Sequence, residues 1–142
     1  MRKLFLFLSI SFLLSSCDSD PSLSDIKDLN GYWEISKVKG DNGKQKEFSF
    51  NENVDYFYLE NQEGFRQKMQ PKFEGGYITN GAKENVFVRE ENDSIFIYYE
   101  TLQDEWKEHL IKLTEEELVV KNEGGITYTY KKFKGYITDG EK

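Results

Sequence analysis

The chain has 142 residues, of which 26 are acidic and 19 basic, and its formal net charge at pH 7 is −7. An acidic chain lacks the basic surface that nucleic-acid binding requires, so no nucleic-acid partner is expected. A single cysteine excludes an intramolecular disulfide, so the hydrophobic core must supply the stability. The length is that of one domain.

The chain begins with the pattern of a secretory signal. Two basic residues follow Met1, and an apolar run occupies residues 4–14. That run is shorter than the ~20 residues of a transmembrane helix and matches the ~7–15-residue apolar region of a signal peptide. Two serines then precede Cys17, the only cysteine. We therefore predict that residues 1–16 form a cleaved signal peptide.

The sequence Leu14-Ser15-Ser16-Cys17 resembles the lipobox of bacterial lipoproteins. The resemblance implies that the Cys17 thiol receives a diacylglyceryl group and that the new amino terminus is acylated, for example with palmitate. It also implies export and attachment to the cell envelope, with the outer membrane as the expected site, on its periplasmic or surface face. Residues 17–24 would then be the lipidated cysteine and a flexible tether.

The remaining sequence predicts one all-β domain over residues 25–134 and a loose tail over 135–142. Ser24 is the predicted N-cap of a short helical turn that ends at Asn30-Gly31. Short aromatic-rich segments then alternate with polar turns, a rhythm typical of a sandwich or an up-and-down barrel. The predicted strands cover residues 32–39, 46–50, 54–60, 65–70, 77–79, 85–89, 94–101, 106–113, 118–121 and 126–133.

Three segments resemble the lipocalin-like domains. Leu29-Asn30-Gly31-Tyr32-Trp33 is similar to the helical turn and Gly-x-Trp that open that fold, and residues 111–120 are similar to its Leu-Thr-x-x-x-Leu segment. Residues 128–133 resemble its closing strand. The resemblance implies an antiparallel up-and-down barrel of about eight strands, with Trp33 at the closed end. No arginine can be assigned to the barrel base, where true lipocalins have one.

Strand alternation predicts which side chains face the barrel interior. Trp33, Ile35 and Lys37 share one face of the first strand, opposite a face with Glu34 and Ser36. The predicted contacts of a small apolar ligand are Trp33, Ile35, Ile95, Ile97 and Tyr99. The same bulky side chains could instead fill the barrel. In that case the protein is a structural or interaction module with an envelope protein as its partner.

No motif for catalysis, a metal or a cofactor occurs in the sequence. We therefore expect a binding protein and not an enzyme, although a hydrolase with an unrecognised site is a third alternative. His109 is the only histidine and is expected to be an ordinary strand residue. The turn Asn92-Asp93-Ser94 fits a glycosylation acceptor, but these residue types are equally common in unmodified turns.

Overall fold

The computed structural model describes residues 19–136 and shows an all-β domain with one short helix. A 3-10 helix at Leu23–Leu29 precedes ten strands. The predicted strand positions are confirmed, with small shifts at their ends. The strands are β1 (Gly31–Lys39), β2 (Gln45–Glu47), β3 (Val54–Glu60), β4 (Glu63–Pro71), β5 (Tyr77–Ile78), β6 (Glu84–Glu91), β7 (Ser94–Glu100), β8 (Glu105–Leu113), β9 (Glu117–Asn122) and β10 (Thr127–Lys132).

Eight of the strands close into an antiparallel barrel, as the resemblance to lipocalin-like domains implies. The order is β1-β3-β4-β6-β7-β8-β9-β10, and β10 pairs with β1, so that Trp33 lies opposite Lys132. The short strands β2 and β5 lie outside this ring and pair with β1 and β4. Closure pairs both edges of the main sheet and removes the exposed edges that invite aggregation.

A β-bulge in β1 changes the face that we predicted for Lys37. Ile35 pairs with Tyr130, and Lys37 pairs with Thr129, the next residue of β10. Neighbouring residues of a strand point to opposite sides, so Lys37 lies on the outer face and not beside Trp33 and Ile35. The extra residue, Ser36, donates a hydrogen bond from its hydroxyl to the Thr129 carbonyl oxygen (3.0 Å).

The 3-10 helix covers one end of the barrel. Its Ile26 and Leu29 are buried in the main apolar cluster, and the helix contacts β3, β6 and β8. The predicted N-cap at Ser24 is wrong by two residues, because the cap is Ser22. The Asp25 carboxylate accepts a hydrogen bond from the Ser22 backbone N–H (2.9 Å), which favours this earlier start.

Gly64 of β4 permits an unusually close approach to β3. A Cβ atom at this position would lie 1.8 Å from the Tyr58 carbonyl oxygen and 2.8 Å from the Leu59 Cα. Both atoms belong to the backbone, so neither can rotate away. Glycine is therefore required here by the strand geometry of the β3–β4 hairpin.

Candidate functional site at the open end of the barrel

The end covered by the helix is closed by Trp33 and Lys132. The Trp33 indole is buried and donates a hydrogen bond from Nε1 to the Leu29 carbonyl oxygen (2.8 Å). The Lys132 ammonium lies 4.1 Å from the centre of the Trp33 ring and donates to the carbonyl oxygens of Asp28 (3.1 Å) and Asn30 (2.7 Å). A lysine therefore closes the barrel base, where the sequence analysis could assign no arginine.

The sequence-predicted ligand contacts lie in the packed lower part of the barrel. Trp33, Ile95, Ile97 and Tyr99 are all at most 2% exposed and belong to one apolar cluster, while Ile35 is partly buried opposite Tyr130. The structure thus brings four of the five side chains together as core residues. A ligand contact at these residues stays a prediction. The end of the barrel away from the helix is lined mostly by polar and charged side chains.

A cavity of about 640 Å³ opens at the other end of the barrel. It includes the connection between β7 and β8, which lies at the opposite end of these strands from the 3-10 helix. Its walls carry six charged residues and two tyrosines. These are Asp55, Arg66, Lys68, Lys83, Glu84, Glu108, Tyr128 and Tyr130.

Arg66 of β4 lies across the floor of this cavity. Its guanidinium is 4.3 Å from the centre of the Tyr99 ring, at the top of the apolar cluster, and its Nε donates to Glu84 Oε2. Burial by itself lowers the pKa of Arg66, but the Tyr99 hydroxyl, Glu84 and Asp55 raise it above the ordinary value, so the side chain stays cationic. Within residues 19–136 its two terminal nitrogens have no hydrogen-bond acceptor.

Glu108 of β8 is a buried carboxylate beside Arg66. It is only 8% exposed, and its Oε2 accepts a hydrogen bond from the Tyr99 hydroxyl (2.8 Å). Burial raises the pKa of Glu108, and the Tyr99 hydrogen bond and the Arg66 charge offset part of that rise. Burial, followed by the Glu108 charge, also raises the pKa of Tyr99, so its hydroxyl stays protonated and acts as the donor.

Tyr130 of β10 lines the same cavity. Burial, followed by the Asp55 charge, raises the pKa of the Tyr130 phenol. Its hydroxyl has no hydrogen-bond partner in the part of the chain that the structure describes, and no polar side-chain atom there is both fully buried and unsatisfied. The hydroxyl is therefore accessible to a molecule in the cavity.

Sequence reasoning missed Arg66, Glu108 and Tyr130 as candidate site residues. In β4 the apolar residues Phe65 and Met69 alternate with Arg66, which suggests that the arginine faces outward. In fact the side of β4 that carries Phe65 faces outward, and Phe65 packs there against Tyr58, with ring centres 5.7 Å apart. A signal did exist for Glu108, because it lies between Trp106 and Leu110 in the inward phase of β8.

The described residues contain neither a metal-binding cluster nor a membrane-spanning helix. No group of three or more His, Cys, Asp or Glu side chains within 19–136 is arranged to hold a metal ion. No helix in the same range is long and apolar enough to cross a membrane. Cys17, the predicted lipid attachment site, lies outside the described residues.

Two solved structures are similar to this one. The structure is similar to that of a lipocalin-like protein from Bacteroides uniformis, at 14% identity and a TM-score of 0.49, covering 75% of this chain and 99% of that one. An uncharacterized protein from Bacteroides eggerthii gives 14% identity and a TM-score of 0.47, covering 73% and 98%. These similarities are too distant to support an argument, and no curated protein matches the sequence.

The family is established by the sequence itself. A family model described as a lipocalin-like domain matches residues 29–120, which is well over half of the chain and begins at the residue where the predicted resemblance starts. The matched region runs from the end of the 3-10 helix into β9, and β10 then closes the barrel. The architecture is of a binding-protein type. The chain belongs to the lipocalin-like domain family.

Proposed function

We propose that the protein is a lipid-anchored, exported binding protein of the cell envelope that holds a small molecule at the open end of its barrel. The observation that carries this proposal is the cavity of about 640 Å³ with Arg66, Glu108 and Tyr130 in its walls. Small-molecule sites typically measure roughly 300–1,000 Å³, and this cavity is of that size, with a lining that is mostly polar. Polar atoms without protein partners, held on rigid strands, are suited to orient a ligand.

The predicted contacts Trp33, Ile35, Ile95, Ile97 and Tyr99 have a different part in this proposal. A small hydrophobic ligand would have to enter beneath Arg66, whose guanidinium covers the Tyr99 ring. We therefore propose that these side chains support the floor of the site and that the ligand binds above them. The apolar part of a ligand would then meet the rings of Tyr128 and Tyr130.

The predicted anchor would orient the barrel on the membrane. Only residues 18–22 separate Cys17 from the 3-10 helix, and an extended tether of this length reaches about 20 Å at most. Because the helix covers the closed end, acyl chains on Cys17 would hold that end near the lipid surface. The cavity would then open towards the aqueous side, where a polar ligand is available.

An interaction module is the second candidate, and the outer surface offers one observation in its favour. Tyr136 lies between Phe50 and Phe73, with ring centres 6.2 Å apart in each case. Phe50 and Phe73 are 71% and 72% exposed. Exposed apolar side chains that cluster are typical of protein-binding surfaces. An envelope protein would be the partner, and the barrel would serve as its rigid support.

Native mass spectrometry of the purified full-length protein tests the first candidate. We expect a co-purifying small molecule that is lost in Ala82→Trp, because Ala82 lines the cavity and a large ring there would obstruct it. Lys121→Trp, an exposed position on β9, is the matched control and should retain the molecule. A barrel with no bound molecule, which also shows no stabilisation by any member of a metabolite library, would favour the interaction module instead.

A further inference from the structure

Two of the three carboxylates that line the cavity are paired with cations, and the third is not. Arg66 is hydrogen-bonded to Glu84, and the Lys68 ammonium is 3.5 Å from Asp55 Oδ1. These two pairs leave Glu108, which has no cationic side chain within 4 Å among residues 19–136. Lys83 also borders the cavity, but its ammonium lies over the Phe65 ring, 4.1 Å from its centre, on the outer face of the barrel.

Glu108 presents one oxygen to the cavity. Its Oε2 is occupied by the Tyr99 hydroxyl, whereas Oε1 has no partner in the described chain. The side chain is more than nine-tenths buried but lines the cavity. A buried carboxylate is normally paired with a cation or fully hydrogen-bonded, because water no longer compensates its charge. Glu108 therefore lacks a partner for Oε1, and a ligand in the cavity could supply one.

The cavity walls beside Glu108 suit a positively charged group. Tyr128 and Tyr130 line the cavity. Aromatic faces attract cations, and most strongly where water is excluded. An anion would instead meet the carboxylate of Glu108, which no cation of the described chain within 4 Å balances, and the net charge of the whole chain, −7, would slow its approach.

We propose that the ligand is a small organic cation, an amine whose protonated nitrogen donates to Glu108 and whose body lies between the tyrosines of the cavity. This inference rests on the proposed function, because it names the ligand class of the same site. The terminal nitrogens of Arg66 are the competing feature. They would bind a carboxylate if the Glu84 pair did not already balance the charge of Arg66.

Isothermal titration calorimetry of the purified full-length protein with three probes of similar shape tests the ligand class. The probes are 2-phenylethylamine, 2-phenylethanol and phenylacetate, which carry a cationic, a neutral and an anionic head group. We expect the amine to bind at least about tenfold more tightly than either of the others, a difference equivalent to 1.4 kcal/mol or more. A preference for phenylacetate would assign the site to Arg66 and overturn the proposal, as would equal affinities.

Two variants separate Glu108 from other carboxylates. Glu108→Gln retains an oxygen that can accept from the Tyr99 hydroxyl, and it should abolish the preference for the amine while binding the alcohol unchanged. Glu100→Gln, an exposed neighbour on β7, removes the same charge and should leave all three affinities unchanged. An unaltered preference in Glu108→Gln would overturn the proposal. If Glu108→Gln does not fold, the three-probe comparison on the unmodified protein decides.

The outcomes also separate this inference from the proposed function. If the amine is not preferred but a small molecule co-purifies with the protein and is lost in Ala82→Trp, the ligand class is wrong and the binding function stands. If no probe binds and no molecule co-purifies, both the proposed ligand class and the proposed binding function are refuted.

Discussion

Replacing Tyr99 with phenylalanine removes one hydroxyl from the floor of the cavity and leaves the ring in place. That hydroxyl donates to Glu108 Oε2 at 2.8 Å, in a site where both residues are buried. A hydrogen bond to a charged group contributes about 1.5–3 kcal/mol to stability, and one between neutral groups about 0.5–1.5 kcal/mol. We therefore expect Tyr99→Phe to lower the free energy of unfolding by about 2 kcal/mol at pH 8, where Glu108 is ionised.

The effect of Tyr99→Phe should depend on pH in a definite direction. The pKa of Glu108 is raised by burial, so the folded state holds its proton more tightly than the unfolded state. The contribution of this group to stability is therefore fully present below the unfolded pKa and is lost as the pH rises through the folded pKa. Without the Tyr99 donor, the pKa of Glu108 in the folded state rises further, so more stability is lost at high pH. Near pH 4, with Glu108 neutral, we expect a cost of only about 1 kcal/mol.

Urea denaturation followed by tryptophan fluorescence and circular dichroism measures both quantities. Tyr98→Phe is the matched control, since its hydroxyl donates to Glu91 on the outer face, where Glu91 is 38% exposed. Interactions at an exposed site are weakened by competition with water, so the control should cost less at pH 8. If Tyr99→Phe lowers the free energy of unfolding by the same amount at pH 4 and pH 8, Glu108 is not a buried carboxylate held by Tyr99.

Three further predictions concern the anchor and the barrel. Cys17→Ser should leave the protein unlipidated and move it from the membrane fraction to the soluble fraction; retention after a high-salt wash would exclude the lipid anchor. Lys132→Met should lower the free energy of unfolding by about 2–3 kcal/mol, because two carbonyl oxygens at the barrel base lose their donor. Lys132→Arg should lower the free energy of unfolding by less than Lys132→Met. An equal decrease for both variants in urea denaturation would contradict the role of the charge. Gly64→Ala should cost at least about 2 kcal/mol, because the new methyl group overlaps the Tyr58 carbonyl; a neutral result would show that β3 and β4 can separate at little cost.

The positions of the strands could be predicted from local chemistry. Asn92 and Asp93 both adopt positive φ angles, of 49° and 64°, which Asn and Asp tolerate better than most residues. The turn at these residues was therefore visible in the sequence, as was the end of β4 at Pro71, which has no N–H to donate to a ladder. Closure of the barrel followed from the Gly-x-Trp segment only through its resemblance to a known family.

The direction of individual side chains was harder to predict. The bulge after Ile35 turns Lys37 outward, and a bulge depends on pairing with β10, about ninety residues further along the chain. The outer face of β4 carries Phe65, which packs against Tyr58 instead of entering the core. An apolar residue in alternation with a charged one marks two faces of a strand, but it does not say which face is inside.

The sequence by itself determined that this chain is an all-β domain with a lipocalin-like opening, and it predicted the signal peptide and the lipidated Cys17. These features depend on residues that are near neighbours in the chain, such as the Gly31-Tyr32-Trp33 segment at the start of β1. Only the tertiary structure decided where the barrel is filled and where it is open. Arg66, Glu108 and Tyr130 belong to β4, β8 and β10, which closure brings to one cavity. A site built from strands so distant in sequence has no local pattern, because its chemistry exists only after the barrel has closed.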